Sequence, residues 1–132
     1  MRRTPGPEWG QKLLGARGEE AAADYLERKG YAILERNYRC RAGEVDMIAG
    51  DGADVVFVEV KTRRSRRFGS GAEAVGRQKQ MALARLAAEY LARRRLVGVN
   101  CRFDVVVVDE TAEGFRIEHI RNAFEVQGSY SY

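Results

Sequence analysis

Gly43-Glu44-Val45-Asp46, a turn signal at Asp51-Gly52, and then Val55-Val56-Phe57-Val58-Glu59-Val60-Lys61 form the stretch whose reading decides the fold. Apolar runs flank the Asp-Gly pair. The segment therefore predicts two strands, near Glu44 to Ala49 and Val55 to Lys61, joined as a hairpin around Asp51 to Ala53. Side chains alternate along a strand, so Glu59 and Lys61 share a face with Val55 and Phe57, while Val56, Val58 and Val60 cover the other. Asp46 on the first strand then approaches the end where Glu59 lies. Charges inside such apolar segments are costly unless they are paired, hydrogen-bonded or bound to a metal. Two converging carboxylates suit a hard cation such as Mg2+, which keeps several waters and leaves room for a phosphate. The Lys61 ammonium would stabilise negative charge on that phosphate or orient an attacking water. The plain alternative is an edge strand decorated with a Glu59–Lys61 ion pair.

Working outward, the periodicity predicts a helix from about Gly15 to Lys29, with Glu19, Ala22, Ala23 and Leu26 on one face and Gly30 as its stop. Glu19 is the exception on that inward stripe. It either faces the same sheet edge as Asp46 or reaches water past small alanines. A further strand is expected near Tyr31 to Tyr38. After the hairpin and a basic loop comes a helix from about Ala72 to Arg95, packing through Ala82, Leu83, Leu86, Ala87, Tyr90 and Leu91. Strands at Arg102 to Val108 and Phe115 to His119 follow. A strand, a long helix and another strand imply a crossover, so Val55 to Lys61 and Phe103 to Val108 are expected to run parallel. The fold class is α/β: a mixed central β-sheet flanked by α-helices, in one domain over residues 1–132, with flexible ends at 1–8 and 126–132.

The chain has 132 residues, of which 45% are apolar, enough for one compact core and too few for two ordinary domains. Its formal net charge of +4 favours an anionic partner. Arginine greatly outnumbers lysine, however, so charge alone is weak evidence for nucleic acid. No apolar run approaches the ~18 residues a membrane span needs, and no apolar segment follows the basic N-terminus. A cytoplasmic protein without membrane attachment is expected. Cys40 and Cys101 stand far apart with only His119 to join them, which supports neither a zinc site nor a disulfide framework. Arg63, Arg64, Arg66 and Arg67 follow the second hairpin strand directly. With Arg39 and Arg41 they are placed to straddle a phosphate backbone; the alternative is a solvated loop. Lys79 either approaches a phosphate or is an ordinary surface lysine. No aromatic platform for single strands is visible.

Asp46 followed by Glu59-Val60-Lys61 resembles the motif of the PD-(D/E)xK nuclease superfamily. Closer still is the resemblance to the UPF0102, or YraN-like, family. It is carried by Glu19 with Ala22 and Leu26, Gly30-Tyr31, Asn37-Tyr38-Arg39, Gly43 to Asp46, Phe57 to Lys61, Phe68-Gly69, Lys79, and Cys101 to Val105, thus from about residue 12 to 124. Val45 stands where the superfamily label has proline. The resemblance implies a restriction-endonuclease-like fold, Mg2+ or Mn2+ as cofactor, and Asp46, Glu59 and Lys61 as catalytic residues. Its likeness to archaeal Holliday-junction resolvases adds Glu19 as a metal ligand and branched DNA as substrate. Cutting two strands of a junction favours a homodimer, but the sequence shows no dimer seam. Asp104 matches the family's Arg-Phe-Asp element and is expected to pair with Arg102 or a nearby loop rather than to bind metal. Two other classes stay open: a noncatalytic nucleic-acid-binding protein on the same fold, and a protein-interaction scaffold.

Overall fold

A computed structural model describes residues 7–64 and 75–125, with side chains of the first helix from Leu13 onward. The elements are α1 (Pro7–Arg28), β1 (Ala32–Cys40), β2 (Gly43–Asp51), β3 (Asp54–Arg63), α2 (Arg77–Arg93), β4 (Cys101–Thr111) and β5 (Gly114–Ile120). The strands form one five-stranded sheet in the order β1-β2-β3-β4-β5. Every neighbouring pair is antiparallel except β3 and β4, which run parallel on either side of the α2 crossover, as expected. The protein is thus an α/β domain, a mixed sheet between two helices.

The period-two pattern of β3 sorts its residues onto two cores. Val55 and Phe57 pack with Leu83, Leu86, Tyr90 and Leu91 of α2. Val56 and Val58 pack with Ala22, Ala23 and Leu26 of α1. β4 repeats the division, with Val105 and Val107 on the α2 side and Val106 and Val108 on the α1 side. Both faces of the central strands are covered, which is why they read as continuous apolar runs.

Element boundaries differ from the sequence reading. Each strand ends one or more residues later than read, because ladder pairing continues to the turns, as at Asp51↔Asp54 and Thr111↔Gly114, while β1 starts one residue later, at Ala32 rather than Tyr31. α1 begins at Pro7 rather than near Gly15, so residues 7 and 8 belong to a helix instead of a frayed end. Proline suits a first helical turn, where its missing N–H costs nothing. α2 begins at Arg77 after an extended Gly76, while residues 72–74 lie outside the described residues. α1 stops as expected: Gly30 takes φ +95°, its N–H bonds to Glu27 O and the Tyr31 N–H to Leu26 O, both at 3.0 Å. That is a Schellman stop. α2 ends with the same bond pattern, Arg95 N–H to Ala92 O and Leu96 N–H to Leu91 O, although Arg95 rather than a glycine takes the positive φ of +55°. No helix among the described residues is long and apolar enough to cross a membrane.

Candidate metal centre

β2 is irregular at Asp46. On one side, β1 pairs Arg36 with Met47 and Tyr38 with Val45, leaving Asn37 opposite Asp46 but unpaired and at φ +51°. On the other side, pairing with β3 ends at Met47↔Val58, so Asp46 and Glu59 have left the ladder. Val45 and Ile48, three residues apart, both join the α2-side core, so the alternation of faces slips across Asp46. The asparagine makes this possible at low cost, since its short amide tolerates the left-handed region better than most side chains.

The Asp46 carboxylate replaces a missing ladder bond. Asp46 Oδ2 accepts the Val60 N–H at 2.7 Å, so this acid of β2 is oriented by the neighbouring strand β3. The Asp46 backbone N–H and the Lys79 ammonium both favour the charged form of Glu59. The Glu59 side chain is only 19% exposed, and burial, reinforced by the charge of Asp46, pushes its carboxyl up to about 7. Burial also raises Asp46, opposed by the Val60 N–H and by Lys79. Lys79 of α2 approaches Glu59 Oε2 at 3.7 Å and donates to the Glu44 carbonyl at 3.2 Å. The Glu59–Lys61 pair of the plain alternative is not formed: Glu59 pairs with Lys79, and Lys61 enters no ion pair among the described residues.

α1 closes the other side. Gly18 lies so near β3 that a Cβ there would sit 2.4 Å from Thr62 Oγ1 and 2.8 Å from Thr62 Cγ2. This contact seats the following residue, Glu19, at the end of β3. The Glu19 carboxyl is raised by burial and then by the charge of Asp46, so the two acids feel one another. A cleft of about 420 Å3 opens here, lined by Leu14, Gly15, Glu19, Val60, Lys61, Thr62 and Arg64. Lys61 and Glu19 thus border one space, next to the strand whose Val60 N–H holds Asp46.

The donor set fits a divalent ion. Two half-buried carboxylates repel one another, one is pushed toward the neutral form, and their surroundings offer one nearby ammonium; a cation of charge two would relieve both strains. Among the described residues no three of the His, Cys, Asp and Glu side chains gather at ligand spacing.

The expected phosphate-binding arginines divide. Arg63 is engaged by Asp109 through bonds of 2.7 and 3.1 Å and belongs to the fold. Arg64 is exposed at the cleft mouth, 3.9 Å from Glu110. Arg39 pairs with Glu44 at 3.0 Å with both side chains largely in solvent, and Arg41 is exposed in the neighbouring turn. Arg66 and Arg67 lie outside the described residues.

Asp104 sits in a separate polar network, as its pairing with Arg102 anticipates. Its fully buried carboxylate accepts from Arg102 at 3.0 and 3.2 Å, from the Asn122 N–H at 2.9 Å, and meets His119 Nε2 at 2.8 Å. Burial pushes this carboxyl up, and His119, Arg102 and the Asn122 N–H outweigh it, holding it below the ordinary carboxylate range. Arg102 goes on to Asp51 at 3.0 Å and to the Tyr31 hydroxyl at 2.6 Å, tying β4 to the β2–β3 turn and to the end of α1. With all its lone pairs in use, Asp104 is a strut.

Three contributors escaped the sequence reading. The spacing of Gly15 and Gly18 within a helical pattern hinted at a close approach, and Gly18 supplies it. Asn37 carries no signal beyond its tolerance of positive φ. The ion pair between Lys79 and Glu59 joins residues twenty apart on different elements, which spacing alone does not relate.

Comparison with known proteins gives the chain's family. The model of the Uncharacterised protein family UPF0102 matches residues 18–108, from Gly18 to Val108. A UPF0102 protein of Syntrophus aciditrophicus is 54% identical over 112 residues, covering 85% of this chain and 88% of its own length. Another, of Symbiobacterium thermophilum, is 54% identical over 114 residues, covering 86% and 97%. Among solved structures, Pyrococcus furiosus SfsA in complex with Ca2+ is similar at a TM-score of 0.40 and 16% identity, over 88% of this chain and 65% of that one. The match from Gly18 through Glu19, Asp46, Glu59, Lys61 and Lys79 to Asp104 takes in the whole candidate centre, and the chain belongs to the UPF0102 family.

Proposed function

We propose that this protein is a metal-dependent DNA endonuclease of the cytoplasm that hydrolyses phosphodiester bonds in branched or distorted DNA. One observation carries the reading: Asp46 and Glu59 leave the β2–β3 ladder at the same level, each feeling the other's charge, with Asp46 held by the Val60 N–H beside a cleft that Lys61 lines. Asp46 and Glu59 would hold Mg2+ or Mn2+, with Glu19 as a further ligand. The ion would supply an acidified water and neutralise charge on the phosphate. The chain's own groups do the rest. The Val60 N–H fixes Asp46 and the Lys79 ammonium sits beside Glu59, so that little reorganisation is needed when substrate arrives. The Lys61 ammonium, at the cleft, stabilises charge gathering on the phosphate oxygens or positions the attacking water. Arg64, Arg39 and Arg41 hold the backbone without reading bases. Branched DNA as the substrate rests on the family likeness and on Glu19 bordering the cleft, and a two-fold dimer would serve paired cuts.

The second reading, a noncatalytic nucleic-acid-binding protein, is favoured by the lack, among the described residues, of any group of three or more His, Cys, Asp or Glu side chains at ligand spacing. Cleavage assays on junction, flap, single-stranded and linear DNA with Mg2+ or Mn2+ separate the two. The endonuclease reading expects metal-dependent cutting, strongest on the junction or flap and lost in Asp46→Ala. DNA binding with no cutting across the panel supports the second reading. Neither metal nor DNA binding leaves an interaction scaffold.

A further inference from the structure

Lys79 is bound at two points: its ammonium lies 3.7 Å from Glu59 Oε2 and donates to the Glu44 carbonyl at 3.2 Å. Its charge acts on both Asp46 and Glu59, opposing the rise that burial imposes on each. It reaches them from α2, on the face opposite α1 and Glu19. Its side chain is 39% exposed, so it is neither sealed in the core nor free in solvent. We infer that Lys79 is the resident counter-cation of the acidic pair, which a divalent ion must displace from Glu59 and which then serves the substrate phosphate.

The inference rests on the metal-site reading above, and simple charge accounting carries it. Two ionised carboxylates and one ammonium leave the centre with a single net negative charge. A divalent ion entering with Lys79 still in place meets one attractive charge rather than two, so the lysine weakens metal binding. Without an ion, the same lysine keeps the centre from paying the full repulsion of two buried acids. An ammonium has three donors and swings on a flexible stem, so it can release Glu59 while keeping the Glu44 carbonyl. The released donors then face the incoming phosphate, and an otherwise neutral assembly of two acids and one divalent ion gains a positive charge for an anionic substrate. Lys61 has no such tie among the described residues, which separates the two lysines in role.

The consequence is a pair of effects with opposite signs. In Lys79→Met, Mn2+ measured by titration calorimetry on the DNA-free protein should bind roughly 3- to 10-fold tighter, since a charge within about 4 Å in a partly solvated site is lost. Turnover of cleaved DNA by the same variant should fall. Lys79→Arg, which keeps the charge, should keep Mn2+ affinity near the parental value. Thermal unfolding and circular dichroism establish that each variant is folded, and Lys79→Gln replaces Lys79→Met if the latter is not. Unchanged or weaker Mn2+ binding in the folded neutral variant overturns the role of Lys79 while leaving the metal site standing. No Mn2+ binding in the parent protein overturns both.

Discussion

Asp46 and Val60 join β2 to β3 just beyond the last pair of their ladder: the Asp46 carboxylate takes the Val60 N–H at 2.7 Å, next to Glu59. An ordinary antiparallel ladder would have spent such a donor on a backbone carbonyl. Leaving the ladder one residue early turns a structural bond into a rigid mount for an acid. The sheet accommodates the change on its outer side through Asn37 at φ +51°.

The first prediction concerns pH. The Glu59 carboxyl is raised from 4.5 to about 7 in the folded protein, so between those values the folded state holds a proton that the unfolded chain has released. Stability of the metal-free protein therefore falls as pH rises through that window. Asp46, also raised, acts in the same direction. Glu59→Gln removes the larger contribution, so its unfolding free energy from denaturant titration in EDTA should decline less between pH 5 and pH 8, by roughly 1–3 kcal/mol. Parallel declines in parent and variant would contradict the shift.

Gly18→Ala should destabilise the fold by about 1–3 kcal/mol, because the new methyl meets Thr62 Oγ1 at 2.4 Å and Cγ2 at 2.8 Å. Adding Thr62→Ala removes both atoms and should recover much of the loss. A double-mutant cycle in urea reads the coupling directly. Additive losses would mean that α1 and β3 are not in contact at this level.

Asp104→Ala should cost about 3 kcal/mol or more, since it strands the half-buried Arg102 guanidinium and leaves the Asn122 N–H without its acceptor. Mn2+ affinity of the folded fraction should barely move, because the network serves the β2–β3 turn rather than the acidic pair. A clean loss of metal binding with stability intact would instead make Asp104 a ligand.

Arg63 and Arg64 are adjacent but should behave differently. Arg63→Ala breaks the bidentate pair with Asp109 and should lower stability by roughly 1–3 kcal/mol. Arg64→Ala should leave stability within about 0.5 kcal/mol and lower the salt slope of duplex DNA binding by about 0.9, the release expected for one phosphate contact. An unchanged slope for Arg64→Ala would move the DNA surface to Arg39 and Arg41.

Much of the fold was legible because its core strands are buried on both faces and its helices carry clear stops. Val55 to Val58 and Val105 to Val108 announce central strands, and the length of the intervening helical pattern dictates a parallel crossover. Gly30 marks the end of α1 through a backbone angle few other residues adopt. What the sequence leaves out is local exception. Nothing in Arg36-Asn37-Tyr38 states that the ladder breaks there, and an arginine at φ +55° closes α2 where a glycine would be expected. The acids were legible as misfits in apolar strands. Their partner was not, because Lys79 reaches Glu59 only once α2 is packed on the sheet; Lys61, two residues away on the same face, was the nearer choice in sequence.

The central claim is that Asp46 and Glu59 together hold a divalent ion, and a crystal soaked in Mn2+ tests it most directly through anomalous difference density. The account predicts a peak within coordination distance of one carboxylate oxygen from each residue, bordering the cleft of Glu19 and Lys61, and lost in Asp46→Ala. Full-occupancy Mn2+ elsewhere, with Asp46 still on the Val60 N–H and Glu59 still beside Lys79, would contradict it.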